Sequence, residues 1–236
     1  MTTDIPDATI DALARSIFKE ASAYGFEQVD VIRLINELME MCIDSDGPAN
    51  GSVDDNPPPP PSGSDDATDL PLVGKRVIVR AFNGKEDARF LEQWLPEKYG
   101  RFFVLSSATA QSITIDALTN SPDNHLGIIT LLDDRPIGAM AFLDHSKKQK
   151  RAELRKLIGD LDSRGEGLAE EATRLWIKYG VSALGLEKIY VSTLQTQFKN
   201  IKLNERIGFR VEGLLRNEVL IDGARNDVLR MGFCVE

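Results

Sequence analysis

The stretch from Ala152 to Gly180, AELRKLIGDLDSRGEGLAEEATRLWIKYG, restricts the possible folds more than any other part of the chain. Its first residues alternate as a half-buried strand does, which puts Glu153, Arg155 and Leu157 on one face. An unbroken helical pattern starts behind Gly167 and runs to about Leu184. Between the two, Arg164, Gly165 and Gly167 crowd a short loop. The first four N–H groups of a helix lack internal partners and its dipole is positive at that end. Glycines let the backbone come close to something bulky, so strand, loop and helix together predict an anion site.

The rest of the chain sorts around that unit. Residues 44–71, DSDGPANGSVDDNPPPPPSGSDDATDLP, carry seven aspartates, no base and the run Pro57–Pro61. So little apolar surface and so much like charge predict a disordered acidic linker, locally stiff at the prolines. Ahead of it, Ile10, Leu13, Ala14, Ile17, Phe18 and Ala21 recur at helical spacing, and Tyr24-Gly25 reads as a stop. Val31, Leu34, Ile35, Leu38, Met41 and Cys42 form a second stripe. Two such helices within residues 1–43 bury too little to stand confidently alone, so a helical hairpin serving as an interaction module is expected, by dimerisation or by protein docking.

The net charge of −9 belongs to this front part. Residues 72–236 contain 22 acids and 25 bases, a balance that suits a small anionic ligand but argues against nucleic acid. No apolar run approaches membrane-spanning length, and MTTDIPDATIDALARS lacks the basic start and apolar core of a signal peptide. Cys42, Cys234, His125 and His145 show no metal-ligand spacing. A reducing cytoplasm and no structural metal are expected.

From residue 72 the pattern predicts a strand (KRVIVRAF), two helices (EDARFLEQWLPEKYG and ATAQSITIDALTN), and three strands (LGIITLL, PIGAMAFL, AELRKLIG). The loop and helix follow, then a strand (KIYVSTL), a short helix (FKNIKLNERIG) and a closing hairpin around Asp222-Gly223. The expected fold is mixed α/β, with antiparallel meanders on either side of one strand–loop–helix–strand unit.

Three phosphate-binding loops compete for the anion. RGEGLA lacks the Gly-Lys-Ser/Thr ending of a nucleoside-triphosphate loop. A dinucleotide fold would place glycine where Glu170 stands and would use an early strand of a parallel sheet. The third candidate is the pyrophosphate of coenzyme A. Here the chain resembles the GNAT acyltransferases, in particular the branch of ribosomal-protein-alanine and amino-sugar N-acetyltransferases. Arg164, Gly165, Gly167 and Ala169 fit the loop form Arg-Gly-x-Gly-x-Ala, and the tail GF…EG.L…DG…DV follows in order. The resemblance runs from about Gly74 to Phe233 and implies a largely antiparallel sheet with one splayed strand pair.

It also implies acetyl-CoA as cosubstrate, an amine acceptor and direct attack without a covalent enzyme intermediate. Amides from Gly165 through Glu166, Gly167 and Leu168 to Ala169 would hold the pyrophosphate, with Arg164 beside them. The strand edge would pair with the pantetheine arm, and amides near Leu157 and Ile158 would face the oxyanion. Glu153 is the expected base, burial raising its pKa, although pairing with Arg155 would make it a structural residue instead. Asp144 and His145 are rivals acting through water. The family pattern Asn-x-x-Ala-x-x-x-Tyr falls on Gln197, Asn200 and Asn204, so the tyrosine that faces the sulfur is an asparagine here. Asn204 can donate a hydrogen bond to sulfur but cannot act as an acid.

Trp94, Phe102 and Phe103 are expected in the core or lining an acceptor pocket. Lys147, Lys148, Lys150 and Arg151 either form a solvated hairpin tip or meet the phosphates of an amino-sugar nucleotide. The expected function is an N-acetyltransferase acting on a small amine or amino-sugar nucleotide. A protein N-terminal acetyltransferase and a non-catalytic acyl-CoA-binding regulatory module stand as alternatives.

Overall fold

The structure, a computed structural model, describes residues 6–26, 28–45, 69–96, 103, 115–194, 198–221 and 223–235. The chain forms two compact units, Met1–Gly51 and Ser52–Glu236. Most of the expected linker, together with Phe102, Gln197 and Asp222, lies outside the described residues.

The first unit consists of α1 (Asp7–Ala23) and α2 (Gln28–Ser45). The Pro6 carbonyl accepts from the amides of Thr9 and Ile10 at the start of α1. Gly25, at φ +86°, takes the chain out of it, so the stop read at Tyr24-Gly25 lies one residue past the last helical turn. The α2 helix runs to Ser45, two residues beyond the expected boundary at 43. Ile10, Leu13, Ile17 and Phe18 of α1 and Ile35, Leu38 and Met41 of α2 are exposed.

In the second unit, β1 (Leu72–Val73) and β2 (Val77–Ala81) precede α3 (Gly84–Trp94) and α4 (Ile115–Asn120). Then come β3 (His125–Leu131), β4 (Pro136–Ser146), β5 (Arg151–Ile158), α5 (Leu168–Ser182), β6 (Lys188–Leu194), α6 (Phe198–Ile207), β7 (Arg210–Ile221) and β8 (Ala224–Cys234). The eight strands form one sheet in the order β1-β2-β3-β4-β5-β6-β8-β7. Every neighbouring pair is antiparallel except β5 with β6. The expected mixed α/β fold with antiparallel meanders around one strand–loop–helix–strand unit is therefore present. β1 was not expected, because two residues are too few to leave a periodic pattern.

Alternation along the central strands divides the core. Ala139, Ala141, Leu143 and Leu157 face Leu91 and Trp94 of α3, Leu118 of α4 and Phe103, which places Trp94 and Phe103 in the core. Met140 and Phe142 point the other way, where Phe142 stacks on the fully buried Trp176 of α5 at 5.4 Å. That close stacking needs small residues around it. A Cβ on Gly180 would stand 2.6 Å from the Phe142 ring, and one on Gly127 would stand 2.9 Å from Trp176.

The start of α3 is fixed by Asp87, which is fully buried and receives two hydrogen bonds from Arg80, at 2.7 and 2.8 Å, and one from the Asn83 amide at 2.7 Å. Burial pushes the Asp87 carboxyl up, but these donors outweigh it and hold it below the ordinary carboxylate range. Asp87→Ala is expected to cost about 2–3 kcal/mol in chemical denaturation, because it strands the Arg80 guanidinium in a partly buried place. The carboxyl is depressed only in the folded state. Its stabilisation is therefore full above the unfolded pKa of 3.8 and is lost as pH falls below it, a dependence that the variant should lack.

Candidate functional site

At the N-terminus of α5 the site has a backbone cradle. Gly165 and Gly167 adopt φ +84° and +76°, conformations that cost other residues energy. Gly167 is the N-cap of α5 and offers no side-chain cap, so the amides of the first turn keep their donors for another acceptor. The two acids of that turn are occupied elsewhere. Glu170 pairs with Arg174 at 3.1 Å and Arg206 at 3.3 Å. Glu171 accepts from the Arg76 amide at 2.8 Å and the Arg76 side chain at 3.0 Å. Burial raises the Glu171 carboxyl, but these bonds prevail and hold it low. Glu166 is exposed, Leu168 is buried and Ala169 is part-buried at the head of the helix.

Two cations flank the cradle. Arg164 folds back, donating from Nε to the Ile158 carbonyl at 2.9 Å and from Nη2 to the Gly159 carbonyl at 3.4 Å. Arg76 donates to the Glu166 carbonyl at 2.8 Å, and a Cβ on Gly167 would stand 3.4 Å from its Nη2. Reading the sequence missed Arg76, which lies 90 residues before Glu166 in the chain and carries no local motif.

The slot lies between β5 and β6. They pair only through Arg151↔Lys188, Ala152↔Ile189 and Glu153↔Tyr190, after which each strand continues without its neighbour. Beyond that last rung β5 has an open edge. The Leu157 carbonyl faces Gly138 of β4, and the Gly159 amide donates to the Ile137 carbonyl. Alternation therefore turns the N–H and C=O of Ile158 to the open side, where Arg164 meets that carbonyl. Of the two expected oxyanion donors, the geometry directs Ile158 to the slot and Leu157 to the neighbouring strand.

Glu153 stands on the last paired rung and is fully buried. Its Oε1 forms an ion pair with Arg155 Nη2 at 2.9 Å, but neither carboxylate oxygen has a well-aligned hydrogen-bond partner among the described residues. Arg155 also reaches across the parted strands to the Ser192 carbonyl at 3.4 Å. Tyr190, across the rung, is pushed up by burial and by the charges of Glu153 and Asp144, with Arg230 stacked 4.8 Å over its ring. Asp144 is exposed at φ +53° in a bulge of β4, its amide bonded to Asn124 Oδ1 at 3.3 Å. His145 is buried, its Nδ1 2.9 Å from His125 Nε2. Burial and the nearby Lys147 charge hold both imidazoles below their ordinary pKa, with the His145 charge also depressing His125.

On the opposite face of the sheet, α6 closes the slot. Asn200 donates to Thr193 Oγ1 at 3.1 Å. Asn204 is fully buried, with Nδ2 3.9 Å from Met231 Sδ and Oδ1 accepting from the Lys156 ammonium. Lys156 was not singled out from the sequence, though the signal was there: it is the charged member of the face Ala152, Leu154, Lys156 and Ile158. Of the basic hairpin tip, Lys147, Lys148, Lys150 and Arg151 are exposed, and Lys150 is paired with Glu187. Among the described residues no cluster of three or more His, Cys, Asp or Glu is placed to hold a metal, and no helix is long and apolar enough to cross a membrane.

Comparison with known proteins agrees with this geometry. Residues 76–210 match the family described as the acetyltransferase (GNAT) domain. Spermidine N(1)-acetyltransferase of Escherichia coli K12 is 27% identical over 157 residues, 62% of this chain and 80% of that protein. A probable N-acetyltransferase of Bacillus subtilis is 28% identical over 48% of this chain and 62% of its own. The crystal structure of a Vibrio cholerae spermidine N-acetyltransferase, in complex with CoA and spermine, shares the fold with a TM-score of 0.58 at 22% identity, covering 68% of this chain and 96% of that one. With the family pattern spanning more than half of its length, the chain belongs to the GNAT acetyltransferases, acetyl-CoA-dependent enzymes that acetylate amines.

Proposed function

We propose that the protein transfers the acetyl group of acetyl-CoA directly to a primary amine of a small polyamine. The observation that carries the reading is the layout along β5: a buried carboxylate at the last paired rung, an open backbone edge beyond it, and a capless helix N-terminus at the far end. The cradle Arg164–Ala169 would take the pyrophosphate and the edge of Leu154, Lys156 and Ile158 the pantetheine amides. The oxyanion would develop nearer Glu153, facing an amide of that same open edge, while the Ile158 N–H, at the cradle end, would meet the pantetheine arm. A protonated amine cannot attack, so Glu153 Oε2 accepts its proton, directly or through water.

The acceptor reading rests on the Escherichia coli and Vibrio cholerae relatives, which carry spermidine N(1)-acetyltransferase names rather than those of the ribosomal-protein-alanine or amino-sugar branch. Asp144 near Tyr190 and Asp123 near the histidine pair offer carboxylates to a polycation, with the Lys147 charge opposing them. Thiol release should be followed with spermidine, spermine, a nucleotide-linked amino sugar and a peptide with an N-terminal alanine. Saturable release with the polyamines is expected. Release confined to the sugar nucleotide or the peptide would overturn the acceptor, and coenzyme A binding without release for any amine would favour a non-catalytic acyl-CoA-binding module. We also propose that α1 and α2 form an assembly module, since their apolar residues remain exposed. Leu13→Ser with Ile17→Ser should lower the sedimenting mass or abolish retention of a partner protein, with turnover retained.

A further inference from the structure

Lys156 is a charged side chain in a place that disfavours charge. It is half-buried as a residue, yet its ammonium is drawn inward to Asn204 Oδ1, and burial pulls its pKa down to about 7, against a weaker opposing pull from Glu170. Glu170 on α5 is itself engaged by Arg174 and Arg206. From α6 the group facing Lys156 is the neutral Asn204. An apolar residue of similar length would fill this position without that penalty, so the lysine needs a chemical reason.

Its position supplies one. Glu153 lies at the rung where the strands part, and the anion cradle lies past the end of β5. A thioester stretched between them has its carbonyl near the parting and its sulfur further along, toward the cradle. Lys156 is three residues beyond Glu153, roughly 10 Å of strand, and projects from the opposite face. Attack from the Glu153 side thus expels the thiolate toward the Lys156 side. Asn204, which has no acidic proton to give, holds the ammonium there.

We propose that Lys156 is the proton donor to the departing coenzyme A thiolate. This rests on the acetyl-transfer reading above. The amine nitrogen forms its bond to the acetyl carbon, the C–S bond breaks with its electron pair passing to sulfur, and sulfur takes a proton from Lys156 Nζ. The resulting neutral amine of Lys156 recovers a proton from solvent. Of the two protons that the acceptor ammonium loses, one leaves through Glu153 to water and the other balances the one delivered to sulfur.

The test is the pH profile of kcat for wild type, Lys156→Met and Lys156→Gln, with acetyl-CoA and the best amine from the panel. Wild type should show kcat falling above pH about 7 as the donor loses its proton. Both variants should lose at least about 30-fold in kcat at pH 6.5 and lack that descending limb, with KM for acetyl-CoA within about threefold. Lys156→Met should fold at least as well as wild type, since it removes a desolvated ammonium, and Lys156→Gln keeps a donor for Asn204 if it does not. Variants that retain kcat within about twofold, or that keep the descending limb, would overturn the assignment while leaving acetyl transfer intact. A wild-type protein that releases no thiol would instead take down the transfer reading and this inference with it.

Discussion

Glu153→Gln is expected to lower kcat about 100-fold or more while leaving KM for acetyl-CoA within about threefold. The size follows from the task, since a positioned base contributes on the order of 10²–10⁴ to such a reaction. The site's structure explains why the loss should fall on kcat. The carboxylate is fully buried on the last β5–β6 rung, one oxygen is ion-paired with Arg155, and neither has a well-aligned hydrogen-bond partner among the described residues. Gln matches the shape but cannot accept the proton. If Glu153 serves only to hold Arg155, the outcome inverts: the unfolding midpoint falls, because an amide pairs poorly with a buried guanidinium, while kcat per folded molecule is unchanged. Measuring both quantities on the same preparation separates the two roles.

Gly167→Glu should raise KM for acetyl-CoA at least about 100-fold. At φ +76° any side chain is strained, at roughly 1–2 kcal/mol, while the Cβ itself would make only an ordinary contact with Arg76 at 3.4 Å. The carboxylate adds the larger effect by occupying the same first-turn amides that an anion would use. Two charge-assisted hydrogen bonds lost at about 1.5–3 kcal/mol each correspond to at least 100-fold in affinity. Gly167→Ala carries the strain without the charge and should lose less than about tenfold. Isothermal titration with coenzyme A distinguishes the pair, and equal losses in both would mean that backbone strain, not anion competition, governs the cradle.

Much of this architecture was legible in the residues because its signals are local. β6 falls on KIYVSTL, where alternation is clean, and α5 starts where the glycines of RGEG release the backbone. The parted strands were not visible as a period in the sequence and entered through the resemblance to a family with a known loop. What stayed hidden depends on contacts distant in sequence. Arg76 over the cradle, Arg155 reaching to Ser192, and Arg230 over Tyr190 join elements that no window of residues connects. Lys156 is the instructive case. One charge on the face Ala152, Leu154, Lys156 and Ile158 breaks the pattern, but only Asn204 closing from α6 shows that the charge is turned inward.

The central claim is direct transfer from the thioester to an amine in the β5–β6 slot. It is tested most directly by mixing the protein with acetyl-CoA carrying an isotopically labelled acetyl group and spermidine, quenching within a single turnover, and locating the label by mass spectrometry. The account predicts label on the polyamine, free thiol in equal amount, and none on the protein. Label on a side chain of the protein before it reaches the amine would contradict direct attack, and saturable coenzyme A binding with all label left on the thioester would contradict transfer altogether.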